Sequence, residues 1–557
     1  MSLIRSFPFK KEAFSDLKKE WFGRNWPVVY VLENGKEIYI GETTNLYSRS
    51  KQHSENMDRL RLTQMHVITD EEYNKSATLD LESKLIQYIS GEDKYAIQNG
   101  NGGLLNHNYF DKEKYHAKFE LIWGALQRIG IARQSLSEIR NSDIFKFSPY
   151  KALTEDQLNV VAEIEKNILS EKRGAHIVSG KPGTGKTVLA IYMMKHLLSL
   201  PEMKGKKIGL VVPMGSLRVT LERVFSRIGG LSSAMVIGPA QVVQDKYDVL
   251  IVDEAHRLKQ RKNLPFFPAF DRVNALLGLS KEGNELDWIM QSSSHQIFFY
   301  DANQSVRPGD IPAERFSDLS ATRYELVSQL RVAAGEDYTN LIADLLALRP
   351  VSRPQFSNYD FRVYDDVNKM IADVKKKDAE HGLARVVAGF AWKWTDQGRG
   401  EVNDIKIGNT ELMWNTESHD WVNSENAINE VGCIHTIQGY DLNYAAVIIG
   451  PELSYDEQNH ALVIDQSKYK DVNGYRGAGS PEELKRYIIN IYKTLLTRGM
   501  RGTYIYAVDD KLRAYLQETL SGTQNPKQEK LMVSPITIEM VQIPLVGSAP
   551  CGDPLLS

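Results

Sequence analysis

A glycine-rich turn at residues 180–187 has the composition and spacing of a phosphate-binding loop. The turn reads Gly-Lys-Pro-Gly-Thr-Gly-Lys-Thr and lies between a strand-like apolar run, 175–178, and a helical pattern, 188–198. Glycines in such a turn let backbone N–H groups surround a phosphate, and the positive end of the next helix faces the anion. The turn therefore predicts binding of a nucleoside triphosphate, with Lys186 on the terminal phosphates and Thr187 on magnesium. The predicted binding residues are Gly180, Gly183, Thr184, Gly185, Lys186 and Thr187.

Two adjacent carboxylates, Asp253 and Glu254, follow another apolar strand pattern at 247–252. The carboxyl ends of parallel strands are where phosphates bind in α/β sheets. We expect Asp253 to hold magnesium through water, and Glu254 to orient and deprotonate the attacking water. ATP and Mg²⁺ are therefore the expected cofactors.

A second group of reactive side chains lies near the N-terminus. Two alternating runs, 28–32 and 37–41, flank Asn34-Gly35, which predicts a β-hairpin that pairs Tyr30 with Tyr39. Such a pair is usually a packing contact. The following helix, capped by Thr43 or Thr44, places Arg49 and His53 four residues apart on one face.

Glu82 occupies an apolar helical stripe formed by Leu79, Leu85, Ile86 and Ile89. A carboxylate in such surroundings needs a partner. That partner is either a magnesium ion or, in a structural role, Arg49 in a buried salt bridge.

Composition restricts the class of protein. The chain has 557 residues, a hydrophobic fraction of 42%, a formal net charge of −3 and two cysteines. No apolar run is long enough to span a bilayer, and the N-terminus does not resemble a secretory signal. With two cysteines, a disulfide framework or a cysteine metal cluster is excluded. We expect a cytoplasmic protein with no membrane contact, in which any nucleic acid is held by local basic patches.

The order of strand and helix patterns predicts an α/β fold with a small N-terminal module and two larger parallel sheets. Strand patterns alternate with helical ones from residue 153 onward. The predicted division is a compact module at 1–110, a helical connector at 111–150, lobes at 151–335 and 336–543, and a flexible tail at 544–557. The connector is marked by Phe119, Leu121, Ile122, Leu126 and Ile129 at helical spacing.

From about Leu153 to Val508 the chain resembles a superfamily 1 helicase core of the Schlafen type, which implies two RecA-like lobes. Six segments of this chain resemble motifs of that family: Leu153-Thr154-Glu155-Asp156-Gln157, Val211-Val212-Pro213, Tyr300-Asp301-Ala302-Asn303-Gln304, Ser328-Gln329-Leu330-Arg331, Ile434–Asp441 and Thr497–Arg501. By this resemblance Gln157 pairs with the adenine base and Gln304 senses the γ-phosphate. Arg331 and Arg498 reach the terminal phosphate, Arg498 from the second lobe. The family usually has Glu where this chain has Asp441.

From about Trp26 to Tyr109 the chain resembles the GIY-YIG endonuclease domain. The second half of that motif is intact as Tyr39-Ile40-Gly41, whereas the first half departs from it as Val28-Val29-Tyr30. The resemblance also assigns a structural role to Asn106.

The same resemblance implies the roles of the catalytic residues. Tyr30, assisted by Tyr39, orients or deprotonates the nucleophilic water, and His53 is an alternative base. Arg49 stabilises the pentavalent phosphate, and Glu82 holds magnesium. A decayed domain that only binds nucleic acid remains the alternative.

Together these features predict an ATP-driven translocase fused to a magnesium-dependent endonuclease, with DNA favoured over RNA as the partner. The short gaps between the helicase motifs predict a minimal motor with little processive unwinding. Its expected setting is antiviral defence or repair, with a protein partner or a homo-oligomer possible. The alternatives are a switch whose N-terminal module binds branched DNA without cutting, and a remodeller of nucleoprotein complexes.

Direct nucleic-acid contacts are weakly indicated. The basic run 256–262 is either a phosphate track or a solvated loop, and four tryptophans either stack on bases or pack in the core: Trp392, Trp394, Trp414 and Trp421.

Overall fold

The chain folds into an N-terminal α/β module, a helical connector and two α/β lobes. The computed structural model describes residues 3–99, 109–170, 173–264, 266–351, 356–395 and 402–521. Asn106, Cys551 and the tail predicted at 544–557 lie outside the described residues. None of the helices within these ranges combines the length and hydropathy that a membrane span needs.

The N-terminal module is a five-stranded sheet in the order β1-β4-β2-β3-β5, with helices on its faces. Its pairs are antiparallel except β3 with β5, which are parallel. The elements are β1 (Ile4–Pro8), α1 (Phe14–Leu17), β2 (Val28–Glu33), β3 (Glu37–Thr43), α2 (Leu46–Glu55), β4 (Gln64–Ile68), α3 (Lys75–Gly91) and β5 (Ala96–Ile97).

The hairpin β2–β3 differs in register from the prediction. Tyr30 lies opposite Gly41, and Tyr39 lies opposite Leu32. The Asn34 side-chain oxygen accepts hydrogen bonds from the N–H groups of Lys36 and Glu37, which places the turn one residue later in the chain than predicted. Because the partner of each residue moves by two positions, both tyrosines still project from the same face of the sheet.

The connector consists of α4 (Lys112–Arg128), α5 (Leu136–Asn141) and α6 (Asp143–Lys146). Phe119, Ile122 and Leu126 of α4 are buried as expected, whereas Leu121 and Ile129 are exposed. The prediction for those two side chains was wrong because Leu121 lies on the outer face of the helix and Ile129 follows its last turn.

The first lobe is a parallel six-stranded sheet in the order β11-β6-β10-β9-β7-β8. Its elements are α7 (Glu155–Ser170), β6 (Gly174–Gly180), α8 (Lys186–Ser199), β7 (Ile208–Val211), α9 (Gly215–Arg227), β8 (Val236–Ile237), β9 (Tyr247–Val252), α10 (Phe267–Leu276), α11 (Glu285–Ser292), β10 (Ser293–Tyr300), α12 (Ala313–Ser317) and β11 (Thr322–Leu326).

The second lobe has a seven-stranded sheet in the order β12-β20-β17-β13-β16-β15-β14, parallel except at β14–β15, and a separate β18–β19 hairpin. Its elements are α13 (Gly335–Leu346), β12 (Asp360–Val363), α14 (Val367–His381), β13 (Ala384–Ala388), β14 (Ile405–Ile407), β15 (Thr410–Trp414), β16 (Glu430–Gly432), α15 (Ile434–Ile437), β17 (Leu442–Ile449), β18 (Leu453–Asp456), β19 (Ala461–Ile464), α16 (Val472–Tyr475), α17 (Pro481–Leu496), β20 (Gly499–Ala507) and α18 (Asp510–Ser521). The prediction of an α/β fold with two largely parallel sheets is confirmed.

One apolar cluster joins the N-terminal module to the first lobe through the connector. It includes Val31 of β2, Ile86 of α3, Trp123 of α4, Ile164 of α7 and Leu189 of α8, all buried. Burying such side chains contributes about 1.5–3 kcal/mol each. The module and the lobe therefore share a core rather than meeting at a polar interface.

Candidate active sites

The glycine-rich turn closes tightly between β6 and α8. Gly183 has φ +91°, and a Cβ atom there would lie 2.0 Å from Gln329 Oε1, so both its backbone conformation and its surroundings require glycine. Lys186 begins α8, and its Nζ donates to the carbonyl oxygens of Gly180 at 2.6 Å and Lys181 at 3.1 Å. The lysine ammonium is thus held inside the loop, at the N-terminus of a helix where anions bind.

Asp253 and Glu254 follow β9 directly and lie beside this loop. The Thr187 hydroxyl hydrogen-bonds to Asp253, and Asp253 Oδ2 is buried without a hydrogen-bond partner in the described part of the chain. Burial and the adjacent Glu254 carboxylate raise the pKa of Asp253. A divalent cation would neutralise this carboxylate, and the oxygen donors of Thr187 and Asp253 suit magnesium.

His256 sets the charge of Glu254. Burial alone would raise the pKa of Glu254, but the His256 imidazole, whose Nε2 lies 3.0 Å from Glu254 Oε2, lowers it. Glu254 also has φ +50°, a left-handed conformation that is strained for a non-glycine residue. The carboxylate is therefore ionised and aimed toward the phosphate-binding loop, where Glu254 lines a cavity.

A chain of polar contacts joins the two lobes at this loop. Lys186 Nζ lies 3.8 Å from Asp301 Oδ2. Gln304 Nε2 donates to that same oxygen at 2.7 Å, and Arg498 NH2 of the second lobe donates to Gln304 Oε1 at 3.4 Å. Burial lowers the pKa of Arg498 to about 10, so it stays charged at neutral pH. The structure thus brings Lys186, Gln304 and Arg498 together, linked by Asp301, to which the sequence analysis gave no role.

The segment 327–331 lies over the loop and contacts the second lobe. Gln329 Nε2 donates to the Pro182 carbonyl at 2.7 Å, and the Leu330 N–H donates to the Gly183 carbonyl at 2.8 Å. Arg331 forms an ion pair with Asp441. Arg331 is therefore at the interface between the lobes and lines the same cavity as Lys186, and its contact with the terminal phosphate stays a prediction.

Gln157 is buried under the loop rather than projecting freely toward a base. Its Nε2 donates to the Thr184 carbonyl at 2.9 Å, and its Oε1 accepts from the Thr154 N–H at 3.1 Å. Adenine recognition by Gln157, which stays a prediction, would require this amide to exchange one of those bonds.

In the N-terminal module, Tyr30, Tyr39, Arg49 and His53 lie together. The Tyr30 hydroxyl lies 2.8 Å from His53 Nε2 and accepts a hydrogen bond from Arg49 Nε at 3.3 Å. The ring of Tyr39 lies 6.2 Å from that of Tyr30 and 4.9 Å from that of His53, between centroids. Burial lowers the pKa of His53 to about 4, so the imidazole is neutral and its Nε2 can accept a hydrogen bond from the Tyr30 hydroxyl. Burial also raises the pKa of Tyr30.

Glu82 faces the same site from α3. Its carboxylate accepts a hydrogen bond from the Glu42 backbone N–H, and burial together with the Glu42 charge raises the pKa of Glu82 to about 7. Among the described residues no ion pair within 4.0 Å joins Glu82 to Arg49, so the structural alternative of a buried salt bridge is not formed. A carboxylate with this raised pKa, next to a second acid, is chemically suited to a hard cation such as magnesium.

Two details of this site differ from the sequence prediction. The cap of α2 is Asn45, whose side chain accepts from the Ser48 N–H at 3.1 Å, rather than Thr43 or Thr44, because the Thr43 hydroxyl is engaged by the Asn45 N–H. Glu42 was not singled out, although it directly follows the Tyr39-Ile40-Gly41 motif and carries a charge beside Glu82.

Comparison with known proteins identifies the two lobes. Residues 173–509, more than half of the chain, match the family described as Schlafen group 3, DNA/RNA helicase domain. The chain belongs to this family. An uncharacterized protein of Saccharomyces cerevisiae is 27% identical over 390 residues, which is 61% of this chain and 83% of that protein. The Schlafen group 3 match assigns a helicase-like ATPase to the lobes and includes neither the N-terminal module nor the connector.

Solved helicase structures resemble the chain only weakly. Bacteroides Pif1 bound to single-stranded DNA is 13% identical with a TM-score of 0.26, over 65% of this chain and 93% of that one. Mss116p bound to single-stranded RNA and AMP-PNP is 15% identical with a TM-score of 0.33, over 71% and 76%. Pif1 helicase from Candida albicans is 11% identical with a TM-score of 0.26, over 67% and 99%.

The structure shows how the basic run 256–262 and the four tryptophans pack. In the basic run 256–262, His256 is buried, Arg257 pairs with Asp310 at 3.0 Å, and Arg261 pairs with Asp271. The two arginines of this run are therefore neutralised, whereas Lys259 and Lys262 form no ion pair within the described residues, and Lys259 is exposed. Trp414 and Trp421 are core residues, whereas Trp392 and Trp394 are half-buried around Trp414.

Proposed function

We propose that this Schlafen group 3 protein is an ATP-driven nucleic-acid translocase whose N-terminal module is a magnesium-dependent endonuclease, with DNA as the preferred substrate. The observation that carries the proposal is the pair of separate sites in one chain. Each site gathers a carboxylate, buried at Asp253 and half-buried at Glu82, and an arginine around a place suited to a magnesium-bound phosphate.

In the ATPase site, each residue acts on the γ-phosphate. Glu254 accepts a proton as water oxygen bonds to the γ-phosphorus and the bond to the β–γ bridging oxygen breaks. Lys186, Arg331 and Arg498 stabilise the charge that develops on the phosphate oxygens. Magnesium held by Thr187 and Asp253 would supply further charge neutralisation. Because Arg498 belongs to the other lobe, loss of the γ-phosphate changes the contacts that hold the lobes together.

In the N-terminal site, the geometry supports a proton relay. Tyr30 takes a proton from the attacking water while its own hydroxyl proton passes to His53 Nε2, 2.8 Å away. The water oxygen bonds to the scissile phosphorus, and the bond to the leaving strand oxygen breaks. Arg49 stabilises the pentavalent phosphate, and Tyr39 packs against His53. Magnesium bound by Glu82 would polarise the phosphate.

A cluster of cations around Tyr47 in the same module supports a nucleic-acid substrate. Lys18, Arg24 and Lys51 lie 4.4, 5.2 and 4.9 Å from the centroid of the Tyr47 ring on α2. Within the described residues none of the three pairs with a carboxylate. Lys51 lies on α2, whereas Lys18 and Arg24 lie between α1 and β2. Like charges gathered around one ring favour a polyanion such as a phosphate backbone. A role in antiviral defence or repair belongs to the proposal and rests on architecture.

The decisive experiment separates the two activities in the full chain. With Mg²⁺ and single-stranded, duplex or forked DNA, Glu82→Ala is expected to abolish strand cleavage while ATP hydrolysis continues. Lys186→Ala is expected to abolish ATP hydrolysis, because it removes the ammonium inside the phosphate-binding loop. The assay measures the cleaved DNA products and the phosphate released from ATP.

Glu71→Ala, which removes an exposed acid of the same module, serves as the matched control and should retain both activities. Strand cleavage that persists in Glu82→Ala at the wild-type rate contradicts the nuclease assignment. Absence of ATP hydrolysis in the wild-type chain with any nucleic acid contradicts the motor.

A second candidate is an ATP-driven switch or nucleoprotein remodeller whose N-terminal module binds branched DNA without cutting it. The burial of Tyr30, which is 1% exposed, favours this candidate because a catalytic hydroxyl must reach water. It predicts forked-DNA binding that Glu82→Ala leaves unchanged, with no cleaved product at any Mg²⁺ concentration. ATP hydrolysis that is independent of nucleic acid would favour the remodeller.

A further inference from the structure

The cavity beside the phosphate-binding loop is not enclosed by the Schlafen group 3 domain alone. It has a volume of about 420 Å³ and reaches from Lys186 and Thr187 to the face of α3 and to the end of the connector. Residues outside the family match line its far side, among them Asp80, Ser83, Lys84, Gln87, Lys146 and Lys151.

Two lysines in this wall, Lys146 at the end of α6 and Lys151 just after the connector, have no ion-pair partner among the described residues; we refer to them as the connector lysines. Lys146 Nζ donates to the Asp441 carbonyl at 3.3 Å, and Lys151 Nζ donates to the Lys146 carbonyl at 2.8 Å. Across the ranges that the structure describes, no carboxylate oxygen lies within 4.0 Å of either ammonium. Lys84, in contrast, is paired with Asp80 at 3.2 Å. Burial lowers the pKa of both connector lysines, that of Lys151 to about 8. Both lysines are half-buried, and an ammonium that is partly removed from water and bonded only to a carbonyl is stabilised by an anion.

We propose that Lys146 and Lys151 form a second anion subsite of the nucleotide cavity, and that a nucleoside triphosphate at the phosphate-binding loop is held by this subsite as well. The proposal rests on ATP binding at that loop. The triphosphate is the anion that the cavity is built to receive, because the cavity is continuous from Lys186 to the connector.

The subsite ties the nucleotide to the N-terminal site through α3. Asp80, Ser83, Lys84 and Gln87, at helical spacing, face the cavity, and Glu82 lies on the opposite face of the same helix. The helix also packs against α5 and α6 of the connector. Nucleotide that pulls Lys146 and Lys151 toward the loop therefore acts on the elements that position Glu82. By linkage, occupancy of the Glu82 site also changes ATP affinity.

ATP affinity of the full chain tests the subsite. We expect Lys151→Met to weaken ATP binding about fivefold, and Lys146→Met with Lys151→Met about tenfold or more, by isothermal titration calorimetry. These factors correspond to about 1 and 1.4 kcal/mol at 1.36 kcal/mol per tenfold change. The matched control is Lys195→Met. Lys195 is a half-buried lysine of α8 that also donates to a carbonyl, that of Gly229 at 2.7 Å, but lies outside the cavity.

The outcomes separate this inference from the proposed function. Wild-type binding that Lys186→Ala removes but the double connector variant retains within twofold overturns the subsite and leaves the ATPase in place. No ATP binding by the wild-type chain overturns both. Lys151→Arg keeps the charge and is expected to restore affinity to within threefold, which excludes misfolding as the cause. Weakened binding in Lys195→Met equal to that in Lys151→Met also contradicts the subsite.

Discussion

At the scale of single residues, Gly41 explains why the Tyr39-Ile40-Gly41 motif ends in glycine. A Cβ atom at this position would lie 2.4 Å from the Tyr30 hydroxyl and 3.0 Å from Tyr39 Cε1. The absence of a side chain therefore gives the Tyr30 hydroxyl its place between Arg49 and His53. The Tyr30 phenol therefore lies against Arg49, His53 and Gly41 and has little freedom to move.

Replacing Gly41 with alanine tests this steric role. We expect Gly41→Ala to destabilise the chain by about 1–3 kcal/mol, as overpacking does, and to reduce cleavage more than ATP hydrolysis because Tyr30 is displaced. Urea unfolding and strand-cleavage assays measure the two effects. Gly124→Ala on α4, where a Cβ atom meets nothing within 4 Å, is the control and should be neutral or slightly stabilising. Equal cleavage in both variants would refute the role of Gly41.

At the scale of secondary-structure elements, α2 depends on its cap. Asn45 accepts from the Ser48 N–H and so satisfies one of the unpaired donors of the first turn. Arg49 lies in the next turn, and its guanidinium bonds the Tyr30 hydroxyl. Fraying of the N-terminal end of α2 therefore directly affects Arg49 and the candidate nuclease site.

We expect Asn45→Ala to cost about 1 kcal/mol of stability and to lower strand cleavage severalfold, with ATP hydrolysis unchanged. Asn45→Asp retains the capping oxygen and should behave like the wild-type chain. Denaturant unfolding measures the change in stability, and assays of strand cleavage and ATP hydrolysis measure the changes in activity. A cleavage rate that falls equally in the two variants would show that the side-chain oxygen is not what matters.

Whether an element could be predicted from the sequence depends on its length and its burial. The long apolar runs that became β6, β9, β10, β17 and β20 were predicted, because buried parallel strands leave a continuous hydrophobic pattern. Short or edge strands such as β8, β12 and β14 were not, since two to four residues carry little pattern. The hairpin register was wrong by two because Asn34 bonds two successive N–H groups, which residue types alone do not specify.

For the candidate sites, the sequence indicated residues that belong to motifs and did not indicate residues outside them. Residues within a motif, such as Lys186 or Tyr39, were found because spacing encodes their chemistry. Lys146 and Lys151 were missed, because they belong to no motif and reach the nucleotide cavity only through the packing of the connector against both lobes. Non-local placement of this kind leaves no signal in one sequence.

At the scale of the whole molecule, the proposed ATPase mechanism requires contact between the lobes. Arg498 reaches Gln304 across the interface and carries an Nε without a hydrogen-bond partner in the described residues. We expect Arg498→Ala to lower kcat for ATP hydrolysis at least about 100-fold, since removal of a preorganised donor costs this much, with ATP affinity reduced far less. Steady-state phosphate release and ATP titration measure the two.

Arg486→Ala, which removes an exposed arginine of α17 in the same lobe, is the control and should keep full activity. Loss of ATP affinity as large as the loss of kcat in Arg498→Ala would place this arginine in ground-state binding rather than in the transition state.

The apolar cluster shared by the N-terminal module, the connector and the first lobe has a practical consequence for dissecting the protein. A fragment that ends at residue 110 and a fragment that starts at residue 151 would both lack α4, which carries Trp123 and Leu126. Residues of the same cluster, such as Ile86 of α3 and Ile164 of α7, would then face water. Fragments with such surfaces aggregate or unfold. Separate expression of the N-terminal module and the two lobes is therefore a poor strategy, and the proposed activities are better isolated by point substitutions in the intact polypeptide.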